Sequence, residues 1–151
     1  MIKKLDKKES VQILSNNYIG YLAFISQDSP YIVPITYYYD KDNITTISYS
    51  GMGHKIEAMR KNDAVSMIVD EIESLSNWKS VLIQGRFEEL TGTDARYLLH
   101  EFSEGVKKII RRKEKKSPQF IDEFSSKISS ENIPIVYRIK IDEITGKQRD
   151  S

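Results

Sequence analysis

Three runs of strand-forming residues follow one another between Gly20 and Tyr49 with only short turns between them, which most constrains the fold. They are Gly20–Ile25, Tyr31–Tyr39 and Ile44–Tyr49, separated by Gln27-Asp28-Ser29-Pro30 and Asp40-Lys41-Asp42-Asn43. A parallel pairing needs a crossover of about a dozen residues, so gaps this short dictate antiparallel neighbours and predict a meander. Pro34 lies inside the second run and cannot donate to a ladder. That run is therefore expected at a sheet edge or bulged.

Two further strands are expected at Ala64–Asp70 and at Lys79–Leu90, and a sixth at Ile133–Ile141. The first of these is nearly continuous in apolar character, which predicts burial on both faces. Gly85 inside the next marks a bulge or a tight corner. The acidic stretch Glu71–Asn77 reads as a loop.

Helical spacing covers residues 6–16, with Asp6 as N-cap and Glu9 three residues on. A short helix is expected from near Gly53 to Lys61, ended by Asn62-Asp63. After Thr93-Asp94 come two helical stretches, one carrying Tyr97, Leu98 and Phe102, the next Val106, Ile109 and Ile110. Beyond Ser117-Pro118 a third carries Phe120, Ile121, Phe124 and Ile128. The tail Thr145–Ser151 is polar and expected to fray. The sum is a mainly β chain with helices, in the α+β class: a six-stranded antiparallel barrel in one domain.

Composition removes several functions. The chain has 151 residues, 30% of them charged, yet a formal net charge of only +1, so it is no global polycation. The run Lys107-Lys108, Arg111-Arg112-Lys113, Lys115-Lys116 lies beside the apolar stripe of Val106, Ile109 and Ile110 and reads as a solvated helix face. No nucleic-acid partner is expected. The absence of cysteine excludes disulfides and thiolate chemistry and fits the cytosol. No apolar run approaches membrane-spanning length, so a soluble cytoplasmic protein is expected. His54 and His100 have no partners at ligand spacing, and no metal site is expected.

The stretch Ser48–Val81 holds the richest chemistry. Glycines free a turn at Gly51 and Gly53, Ser50 supplies a hydroxyl, and His54 and Lys55 enter a helix. Orphan amides at a helix start, together with an ammonium, favour an anion such as a phosphate. The bland alternative is a glycine turn with an exposed lysine. Trp78, the only tryptophan, fits a planar ligand, a core or a subunit contact. Tyr37 and Tyr39 share one strand face. Sheet packing explains them, and Tyr37 is the one side chain offered as an acid–base candidate.

The segments Pro30-Tyr31-Ile32-Val33-Pro34-Ile35, Ser50-Gly51-Met52-Gly53-His54-Lys55-Ile56, Asn62–Asp70 and Trp78-Lys79-Ser80-Val81-x-x-x-Gly85 together resemble the pyridoxamine 5′-phosphate oxidase-like flavin-binding family. Within it they look closest to the nitroimidazole-resistance branch. The resemblance implies a split β-barrel homodimer holding FMN at the subunit interface. It puts Val33, Pro34, Ile35 and Thr36 along the isoalloxazine ring, largely through backbone groups. It puts Tyr49, Ser50, His54 and Lys55 at the phosphate, His54 falling where oxidase members carry an arginine. Ser80 would approach the flavin, with Trp78 packed nearby.

Two departures bear on activity. Ser48 stands where nitroimidazole-resistance members often carry a histidine, and the last strand lacks the tryptophan and arginine pattern with which the oxidases grip substrate. The expected function is an FMN-dependent oxidoreductase acting on a small substrate such as a nitro-aromatic. A non-catalytic flavin-binding or sensing protein and a haem-binding relative of the same barrel are the alternatives.

Overall fold

The computed structural model describes residues 1–114 and 135–150. Among them run β1 (Ile2–Leu5), α1 (Lys7–Asn16), β2 (Ile19–Ser26), β3 (Ser29–Thr36), β4 (Tyr38–Asp40), β5 (Thr45–Ser50), α2 (His54–Lys61), β6 (Ala64–Ser74), β7 (Asn77–Leu90), α3 (Gly92–Glu114) and β8 (Ile135–Arg149). The strands form one antiparallel sheet in the order β3-β2-β6-β7-β8-β5-β4, with β1 paired to β8 off this path. That makes eight strands among the described residues rather than six. The third helical stretch, with Phe120 to Ile128, lies outside them, as do Lys115 and Lys116.

The expected meander is broken at one residue. The run Tyr31–Tyr39 divides into β3 and β4, which lie at opposite edges of the sheet. Tyr37, between them, is fully buried; its N–H donates to the Tyr18 carbonyl (2.8 Å) and its hydroxyl to the Leu14 carbonyl (2.8 Å). Burying that ring pulls the backbone out of the β2 ladder, and the chain itself joins the two edges. Pro34 accordingly sits on an edge strand, where its missing N–H costs no ladder bond.

Local chemistry sets the other elements. Asp6 caps α1, its Oδ1 accepting from the Glu9 N–H at 2.8 Å. Gln27 and Asp28 both take positive φ, as a two-residue hairpin between β2 and β3 requires. The main core joins Leu22, Phe24, Met67 and Ile83 of the sheet to Ile13 and Leu14 of α1 and Ile56 and Met59 of α2. A second cluster sets Leu98, Phe102, Val106 and Ile110, spaced four apart on α3, over Ile47 and Val136.

Other expectations need correction. β6 is buried on one face only: Val65, Met67 and Val69 point inward, whereas Ile68 is 37% exposed. Glu71–Asn77 is not a loop, because β6 continues to Ser74 and β7 begins at Asn77. The two stretches after Thr93 form one helix. Gly105 does not interrupt it, since the Tyr38 ring fills the space a Cβ would need. Residues Thr145–Arg149 do not fray, because they pair with β7 on one side and β1 on the other. The basic face is partly tied down: Arg112 reaches Asn16 Oδ1 (3.3 Å) and Lys113 reaches Asn17 Oδ1 (2.7 Å).

Gly85 marks the register shift between β7 and β8, and a methyl there would overlap the Lys140 carbonyl oxygen. Backbone cannot step aside as a flexible side chain can. Gly85→Ala is expected to cost about 3 kcal/mol, read as a lower urea midpoint with an unchanged slope.

Candidate functional site

β5 ends at Ser50, and the open residues Gly51 and Gly53 carry the chain into α2. Gly53 is the N-cap in extended backbone and offers no side chain. The first helical bond runs from the Glu57 N–H to the Gly53 carbonyl (3.1 Å). The amides of His54, Lys55 and Ile56 therefore have no carbonyl within the helix to satisfy them.

Beside this open helix start lies an ammonium without a counter-charge among the described residues. Lys55 Nζ donates to Ser50 Oγ at 2.7 Å, and Ser50 in turn donates to the Gly51 carbonyl at 2.7 Å. Lys55 is half-buried, and burial pushes its pKa down. No carboxylate stands within ion-pair distance of it among the described residues. Lysines on surfaces normally keep their water or find an acid; this one has lost part of the first and has none of the second among the described residues.

The remaining candidate residues divide. His54 turns to the β2–β3 hairpin, its Nε2 lying 3.0 Å from Ser26 Oγ and its ring edge-on to Phe24 and Tyr31. Tyr49 packs against Phe102 of α3, ring centroids 5.4 Å apart. Val33 and Ile35 pack against the core. Pro34 faces the other way, in a cross-strand row with Tyr21, Ile68 and Leu82. That row spans three strand spacings, about 14 Å. Thr36 shares Pro34's face, and Trp78 and Ser80 share Leu82's. Pro34, Thr36, Trp78 and Ser80 thus meet on one outward sheet face, while Ser50 and Lys55 form a separate corner. Ser48, 1% exposed, links the two regions through its hydroxyl, which donates to the Thr36 carbonyl (2.9 Å).

Tyr37 is not an acid–base residue. Its hydroxyl proton is committed to Leu14, and burial pushes its pKa still further from neutrality. Sequence reasoning missed the surroundings of His54. Ser26 and Tyr31 precede it by more than twenty residues, and only the packing of α2 on the hairpin brings them together.

A family model described as pyridoxamine 5′-phosphate oxidase matches residues 6–148. The chain belongs to that family. An uncharacterized protein of Rhizobium meliloti is 29% identical over 146 residues, covering 97% of this chain and 94% of its own. A FAD-binding protein from Mesorhizobium loti superposes with a TM-score of 0.78 at 28% identity, covering 100% of this chain and 98% of its own. A protein from Bacteroides thetaiotaomicron, described as a candidate for 5-nitroimidazole antibiotic resistance, superposes at 0.67 with 20% identity, covering 98% of this chain and 89% of its own. The fold they share with it is the family's split barrel.

The unpaired Lys55 yields a pH signature. Its folded pKa lies below the unfolded value of 10.5, so the unfolded chain binds the extra proton between the two, and stability rises with pH through that window. Lys55→Met removes the burial cost. It is expected to stabilise the ligand-free protein near pH 7 by under about 1 kcal/mol, since the half-exposed ammonium keeps part of its water. The gap between variant and parent should close as pH approaches 10.5, as paired urea titrations would record.

Proposed function

We propose that this member of the family is an FMN-binding oxidoreductase that reduces a small substrate such as a nitro-aromatic. The observation that carries the reading is the half-buried Lys55 ammonium beside an uncapped helix start. That pair suits a phosphate, which accepts several N–H donors and neutralises the cation. Lys55 and the first amides of α2 would hold the phosphate, with Ser50 orienting the ammonium. The β3 backbone at Val33–Thr36, and Trp78 and Ser80 on the outward face, would flank the ring. Bound flavin supplies hydride and electron transfer, while the protein binds, orients and excludes water. The FAD-binding relative from Mesorhizobium loti supports a flavin as the ligand class.

The outward face also supports a homodimer. Ile19 (50% exposed), Tyr21, Ile32 and Ile68 lie on the face that carries Trp78 and Ser80. Exposed side chains of this kind, in one contiguous sheet face, fit a self-complementary two-fold contact. A second copy would bring its own Trp78 strand towards the Lys55 corner.

Three measurements test this. Purified protein should show a flavin spectrum, bleached anaerobically by NADH or NADPH and restored by a nitro-aromatic. A colourless protein that takes up no FMN would refute flavin binding, and a flavin that cannot be cycled would refute the oxidoreductase. Lys55→Met should weaken FMN binding about tenfold to a hundredfold while leaving riboflavin, which lacks the phosphate, unchanged. Ile68→Asp should convert a dimer into a monomer in sedimentation; a wild-type monomer that holds FMN would contradict the two-fold site.

A further inference from the structure

The His54 ring turns away from the Lys55 corner, and its surroundings form a cavity of their own. It has a volume of about 340 Å³ and lies between the β2–β3 hairpin and α2. Recognition sites for small molecules run from about 300 to 1,000 Å³, so this space suits a ligand of nucleoside size. One wall is a helix stripe: His54, Glu57 and Lys61, at spacings of three and four, face the hairpin together. From the first to the last is about 10 Å of helix, the length scale of a nucleoside. The groove begins at the α2 N-terminus, where the adjacent Lys55 marks the anion corner.

The opposite wall has an aromatic platform. Tyr31 stacks on buried Phe24 with ring centroids 5.6 Å apart and planes within 11°, and His54 meets it edge-on at 4.9 Å. Phe24 covers one side of the ring, and Tyr31 as a residue is 43% exposed on an edge strand. Held aromatic faces of this kind take nucleobases by stacking. Polar groups around it include two carboxylates, Asp28 and Glu57, with Lys61 at the far end of the groove. Asp28 sits in the hairpin turn at φ 64, Glu57 lies across from it, and neither has an ion-pair partner among the described residues. Carboxylates in such a place accept hydrogen bonds from ribose hydroxyls or an exocyclic amine, and they repel phosphate. Lys55 lies at the helix start and both carboxylates line the groove, an arrangement that suits phosphates at the first and a nucleoside in the second.

We propose that this groove is an adenosine subsite, so that the protein holds FAD with its FMN half in the Lys55 site and its adenosine half between the hairpin and α2. This rests on the flavin reading above and extends it to the dinucleotide.

Flavin-free protein titrated with FAD and with FMN, by quenching of flavin fluorescence, tests the subsite. FAD should bind about tenfold to a hundredfold more tightly than FMN. Tyr31→Ala should erase that advantage while leaving FMN affinity unchanged, which also shows that the variant is folded. Asp28→Asn keeps a residue that tolerates positive φ and should cost FAD alone about fivefold, which decides the matter if Tyr31→Ala does not fold. Equal affinities for FAD and FMN in the wild type, or variants that weaken both alike, would overturn the subsite and leave the FMN site standing. Binding of neither flavin would overturn both.

Discussion

The burial of Tyr37 is the interaction on which the architecture depends. A strand that begins as the partner of β2 must leave it and finish as the partner of β5, and the two positions are opposite edges of the sheet. Tyr37 makes the transfer by turning its ring into the core and tying its N–H to Tyr18 and its hydroxyl to Leu14. An unpaired hydroxyl at that depth would cost about 1–3 kcal/mol, so the Leu14 carbonyl is part of the arrangement. Ser48 adds a tie from β5 to the Thr36 carbonyl one residue earlier. The edges are held by the chain and its side chains instead of by a continuous ladder, which leaves the barrel split.

That split positions the chemistry. β5 ends beside the junction and delivers the chain into α2, so the uncapped helix start and Lys55 lie at a corner of the barrel. The outward sheet face carries Pro34, Thr36, Trp78 and Ser80 along with exposed aliphatic and aromatic side chains. A half-buried ammonium beside an uncapped helix start and an exposed apolar sheet face are both incomplete surfaces. In the proposed function an anion would complete the first and a second copy the second, with one phosphorylated planar ligand held between two protomers.

Much of this was legible in the residues. Asp6 announced its helix, Gly85 its register shift and Pro34 its edge, because each acts through local backbone geometry. The Ser50–Lys55 turn was legible for the same reason: glycines, a hydroxyl and a lysine within six residues already describe a helix start and its charge. Illegible were the contacts made over long separations. Nothing around Tyr37 marked it as a pivot, since its partners Leu14 and Tyr18 lie some twenty residues back, and a run of three tyrosines looks like an ordinary strand. β1 and the Thr145–Arg149 end look polar and loose alone; β1 becomes a strand by pairing with that end, which β7 pairs on its other side. His54 looked like part of the anion corner by adjacency to Lys55, but consecutive helical residues point about 100° apart.

The sequence by itself determined the antiparallel β class, the ends of α1 and α2, the family and the helix start beside Lys55, all of which depend on residues near one another in the chain. Tertiary structure decided which strands became edges, which face of β6 stayed exposed, that Tyr37 would hold the fold and not act on a substrate, and that His54 would line a groove of its own. These depend on what packs against a residue, and burial is a property of the assembled sheet and helices that no local pattern encodes.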